Sequence, residues 1–107
     1  MTAEDKEKCA YIVNHYGARS QLDVLVEECA ELIQAVQKLK RVGFGHLPFQ
    51  CVELSLNFVE EMADVSIMIQ QFLSLNTAPV DIYKQIISQK LERQLERIAV
   101  EREKNEK

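Results

Sequence analysis

Apolar residues recur along this chain at intervals of three and four, in stretches separated by breaks that contain Gly or Pro. The first stretch places Cys9, Ile12, Val13 and Tyr16 at helical spacing. Thr2 suits the cap position ahead of it, Glu4 and Asp5 suit the first turn, and Gly17 supplies a stop. The second stretch, with Ser20 as its expected cap, runs to about Val42. Leu22, Leu25, Val26, Cys29, Leu32, Ile33, Val36 and Leu39 make its core-facing stripe, and Lys38, Lys40 and Arg41 suit its C-terminal turn. The segment GFGHLP then interrupts the pattern.

A third helix is expected from about Cys51 to Leu75. Leu54, Phe58, Met62, Val65, Ile69 and Phe72 form one stripe, and Leu56, Val59, Ala63, Ile67, Met68 and Leu73 cover much of the remaining surface. A helix apolar nearly all round is expected to be central and buried. Asn76-Thr77-Ala78-Pro79 marks a break and a restart, with Pro79 at the first helical position. The fourth helix carries Ile82, Tyr83, Ile86, Ile87, Leu91, Leu95 and Ile98 on one side, and residues 101–107 form a polar tail expected to fray or to extend into solvent. No β-type alternation appears. The fold class is therefore all-α: a single domain over 1–107, bundle-like with four helices, antiparallel central helices and a core completed by oligomerisation.

Composition narrows the function classes. The chain has 107 residues, 47% of them apolar, and a net charge of -4. An acidic balance argues against nonspecific binding to duplex nucleic acid, which depends on neutralising phosphates. The apolar-rich stretch from Val59 to Leu75 is broken by Glu60, Glu61, Asp64, Gln70 and Gln71, so no membrane span is expected. No secretory signal pattern opens the chain, and Cys9, Cys29 and Cys51 show no CxxC pairing, so a cytoplasmic protein with reduced cysteines is expected.

The candidate chemistry lies in two acidic pairs, each spaced i, i+3: Glu28 and Glu31 in VEECAEL, Glu61 and Asp64 in VEEMADV. They mirror each other about mid-chain, with Glu31 and Glu61 each fifteen residues from His46 and Glu28 and Asp64 each eighteen from it. An antiparallel hairpin brings the four carboxylates level. Val24, Ala35, Asn57 and Met68 share their faces, and no basic residue does. Acid pairs on helices are ordinarily solvated, but this third helix has little solvent face to spare. Unpaired carboxylates gathered in a half-buried place repel one another and resist desolvation, so a cation must compensate. All-oxygen ligands favour Mg²⁺, or Mn²⁺ in its place. Glu27 and Glu60 point about 100° away. His15 and His46 are expected to be surface or structural.

EECAELIQA followed by EEMADVSIM resembles the ExxE…ExxD signature of the MazG-like nucleoside triphosphate pyrophosphohydrolases, an all-α superfamily, over about His15 to Arg97. The resemblance implies Mg²⁺-dependent hydrolysis of a (deoxy)nucleoside triphosphate between the α and β phosphates, yielding a monophosphate and pyrophosphate. It implies Glu28, Glu31, Glu61 and Asp64 as metal ligands and catalytic residues. The family often adds a Lys, an Asn four on and an Arg three further. Here KLERQLER offers Lys90, Gln94 and Arg97, with Gln in place of Asn and Arg93 as a further phosphate-binding candidate. A lysine lying along an amphipathic helix is the plain alternative for Lys90. Gln21, Asn57 and Gln94 are candidate amides for the base pocket. Twenty-nine residues separate Glu31 from Glu61, at the long end of the family pattern, a difference GFGHLP would absorb.

Three other readings stand beside this one. A helical interaction module without activity fits the amphipathic fourth helix. A pyrophosphohydrolase of another nucleotide metabolite would need the same acids. A di-iron carboxylate protein calls for Glu-x-x-His pairs, and neither histidine stands three residues after a Glu. The expected partners are a nucleotide substrate and further copies of the chain, as dimer or tetramer.

Overall fold

The computed structural model describes residues 1–41 and 52–106. Four helices account for nearly all of them: α1 (Ala3–Tyr16), α2 (Ala18–Arg41), α3 (Val52–Leu73) and α4 (Val80–Glu106). No strand occurs among the described residues. The expected all-α class is therefore what the chain adopts. Val42, the GFGHLP loop with His46, and Cys51 lie outside the described residues. The chain divides into two compact units, Met1–Asn76 and Thr77–Lys107.

In the first unit, α1 begins as its sequence suggests: Thr2 is extended, and its Oγ1 accepts a hydrogen bond of 3.0 Å from the Asp5 amide. Its end is set by Gly17, whose φ of 91° and ψ of 144° lie where side chains are rarely tolerated. The Gly17 amide donates to the Val13 carbonyl at 2.9 Å, and the Gly17 carbonyl accepts from the Gln21 amide at 3.1 Å. One residue thus closes α1 and opens α2. That economy corrects the start expected of α2: the helix begins at Ala18, and Ser20 lies inside it instead of capping it.

The direction of α3 against α2 follows from which residues meet. Gln21 donates to Gln71 across the two helices, while Glu28 and Glu31 gather with Glu61 and Asp64. Glu28 stands seven residues after Gln21 and Asp64 seven before Gln71, so the helices run antiparallel. Helix α1 lies against both, burying Cys9 and Val13, and the Cys9 thiol points to the Ile67 carbonyl at 3.9 Å. Burial, then the nearby Asp5 carboxylate, raise the Cys9 pKa, which keeps a core thiol protonated. Cys29 is half-buried and also free.

Burial is narrower than the apolar arcs. Ala35 and Met68 are buried, and so are the polar Gln21, Ser55 and Gln71. Of the stripe expected to face the core on α2, Leu22, Val26 and Ile33 are exposed. On α3, Leu56, Val59, Ile67 and Ile69 are exposed, so this helix does present an outer face to solvent. Tyr16 of α1 is exposed as well, in edge contact with His15 at a ring separation of 4.7 Å.

Helix α3 ends at Leu73, two residues early, where the Ser74 hydroxyl and amide both turn back to the Gln70 carbonyl at 2.8 and 3.0 Å. In the second unit, Pro79 precedes the helix and its carbonyl accepts from the Tyr83 amide at 3.0 Å, so α4 starts at Val80. Its polar end does not fray: the helix continues to Glu106, with glutamates and basic residues alternating along its last turns. No residue of α4 is buried, and Ile82, Leu91 and Leu95 are more than half exposed.

Gly17 gives this fold its simplest test. A Cβ there meets no atom within 4 Å, so any cost of Gly17→Ala comes from backbone strain alone. That substitution is expected to lower stability by about 1–3 kcal/mol, read as a lower urea midpoint with unchanged slope. An unchanged midpoint would mean that another conformation joins the helices.

Candidate metal centre

Glu28 and Glu31 stand one helical turn apart on α2, and Glu61 and Asp64 one turn apart on α3. Because the helices are antiparallel and in register, the two pairs face each other. Each residue offers an oxygen, and the four oxygens all lie within 4.8 Å of one another. The mirror pattern in the sequence is thus realised in space.

Glu28 and Glu61 are half-buried, while Glu31 is exposed. The Oε2 atoms of Glu28 and Glu61 are both shielded from solvent and lack a hydrogen-bond partner. Among the described residues of the first unit, the ion pair found is Lys8–Glu4, at 3.3 Å on α1, and it involves none of the four acids. A buried carboxylate oxygen without a donor is costly, and two in one place cost more.

The electrostatics follow. The Glu28 carboxyl is raised above its usual value of 4.5, first by loss of solvent, then by Asp64, Glu31 and Glu61. Glu61 is raised likewise, by loss of solvent and then by Glu31 and Asp64, with a smaller push from Glu60. Hydrogen bonding with Glu31 favours the neutral form of each. Both shielded acids thus resist ionisation more than a free carboxyl does, and a divalent cation would favour their charged form. Oxygen-only ligands at this spacing suit a hard cation, and neither histidine nor cysteine belongs to the group.

The remaining candidates divide. Asn57 is half-buried on α3, one turn before Glu61 and on the same face. Gln21 is 6% exposed and donates from Nε2 to the Gln71 Oε1 at 2.7 Å, so its amide is engaged inside the unit. Lys90, Arg93, Gln94 and Arg97 stand along one face of α4 in the second unit, all exposed. Gln71 was not singled out by sequence. Its signal was the same mirror spacing: it stands seven residues after Asp64, as Gln21 stands seven before Glu28.

Comparison of the chain with protein-family models, with curated proteins and with solved structures yields no match.

The raised carboxyls carry a pH dependence of defined sign. Below 4.5 both folded and unfolded forms are protonated, and these groups are neutral to stability. As pH rises from 4.5 through the raised native values, the unfolded state sheds protons first and stability falls. Above those values the deficit is constant. Glu28→Gln and Glu61→Gln are thus expected to leave metal-free protein as stable as the parent or more so at neutral pH, and to flatten the fall. Thermal unfolding measured from acid to neutral pH checks this; a melting temperature that rises with pH equally in parent and variants would contradict it.

Proposed function

We propose that the chain is a Mg²⁺-dependent pyrophosphohydrolase, cleaving a (deoxy)nucleoside triphosphate between the α and β phosphates. The observation that carries the reading is the cluster itself: four carboxylates within 4.8 Å, two of them with shielded, unpartnered oxygens. The resemblance of EECAELIQA and EEMADVSIM to the MazG-like signature supplies the reaction class.

Glu28, Glu31, Glu61 and Asp64 would hold the cation, with Mn²⁺ able to take the same oxygen set. Bound there, the cation supplies charge neutralisation for phosphate oxygens and for the leaving pyrophosphate. The chain's own residues do the rest. Glu31 is exposed beside the shielded pair, a suitable place to accept a proton from an attacking water. Lys90, Arg93 and Arg97, exposed along one face of α4, are the candidates for phosphate binding. Asn57, one turn from Glu61, supplies an amide at the edge of the acids, and Gln94 another between the α4 cations. Self-association to a dimer or tetramer belongs to the same reading. It is supported by exposed apolar side chains on α2 and α3, among them Leu22, Val26, Ile33, Leu56 and Val59.

Two measurements test this. Purified protein with Mg²⁺ is expected to release pyrophosphate from at least one member of the (deoxy)nucleoside triphosphate set, and Glu61→Gln to lose at least a hundredfold in rate, on the order expected for a lost catalytic group. Activity that survives Glu61→Gln unchanged would defeat the metal assignment, and no release from any triphosphate would defeat the function. Light scattering is expected to give a mass at least twice 12.3 kDa; a monomer at that mass would remove self-association.

A further inference from the structure

Two groups of polar side chains meet across the seam between α2 and α3. One is the acid cluster, and the other is Gln21 and Gln71, 6% and 2% exposed. The Gln21 Nε2 donates to the Gln71 Oε1 at 2.7 Å, and the Gln71 Nε2 donates to the Met68 sulfur at 3.5 Å. The Gln71 amide is therefore held from both ends. On each helix this level lies seven residues, two turns, from the cluster, and so on the same face.

Hydrocarbon contacts are non-directional, and a seam made only of them tolerates a slip of one turn, about 5.4 Å. Such a slip would carry Glu28 past Asp64 and Glu31 past Glu61, and four oxygens now within 4.8 Å would part. The carboxylates cannot hold that register themselves, since they repel. An amide pair can: its hydrogen bond is short, directional and satisfied in one alignment only. A buried polar pair stabilises a seam no better than matched hydrocarbon, and its best-attested contribution is to specify register.

We propose that Gln21 and Gln71 are positioning residues for the candidate metal centre, fixing the register of α2 against α3 so that the four carboxylates meet. The proposal uses the cation-site reading above as one readout and stands on the alignment of the helices as another. With the amide pair intact, the cluster forms in one arrangement before any cation arrives. Without it, the helices remain paired and the acids are distributed over more than one alignment.

The test replaces both amides by apolar side chains of similar shape, in Gln21→Met with Gln71→Met, and separately by Leu at both positions. Each double variant is compared with the parent by circular dichroism and thermal unfolding, by titration with Mn²⁺ followed by paramagnetic resonance, and by interhelical NOEs between methyl groups. The expected result is unchanged helix content, a melting temperature equal to the parent's or higher, a Mn²⁺ Kd raised roughly tenfold or more, and NOEs from more than one alignment. A merely structural pair would lower the melting temperature and leave Kd unmoved. Folded double variants that bind Mn²⁺ like the parent and show one set of NOEs overturn the proposal, as does failure of both to fold. A parent that binds no Mn²⁺ removes the cation reading instead, and the NOEs then decide the register on their own.

Discussion

Four like charges held within 4.8 Å between two packed helices are the constraint on which this structure turns. Water normally screens such a group, but the seam withdraws it from Glu28 and Glu61, and among the described residues of the first unit no cationic side chain forms an ion pair with them. Repulsion and desolvation act in the same direction, and both appear as raised carboxyl values. The hydrophobic seam must therefore hold together a group that pushes it apart. A divalent cation reverses that sign, because the same oxygens that repel one another attract it.

The surrounding architecture can be read as support for that arrangement. Gly17 turns the chain in one residue, so α1 lies back over the seam and Cys9 and Val13 close one side. Gln21 and Gln71 close the adjoining level with a directional bond. What this three-helix unit leaves open is as informative. Leu22, Val26 and Ile33 on α2 and Leu56 and Val59 on α3 lie at the uncovered edges of the apolar arcs, while α4 carries a further stripe in its own unit.

Much of this was legible in the residues. The period of three and four locates all four helices, and the mirror placement of two i, i+3 acid pairs suffices to put the carboxylates together. Periodicity gives the width of an apolar arc but not which edge a neighbour covers, so Leu22 and Ile33 looked as buried as Leu25 and Leu32. The start of α2 was misplaced because a positive-φ glycine can serve two helices at once, and Ser20 is an ordinary cap residue by composition alone. Gln71 was passed over as a polar interruption. Its meaning depended on Gln21 standing opposite, which required the register to be known.

The central claim is that the four acids bind a hard divalent cation. Isothermal titration with Mg²⁺ and Mn²⁺ in the weakly acidic range, in buffers of different ionisation enthalpy, tests it most directly. Saturable binding is predicted, with protons released on binding, and both effects lost in Glu28→Gln combined with Glu61→Gln. Absence of saturable binding in the parent, or binding that the double substitution leaves intact, would contradict the account.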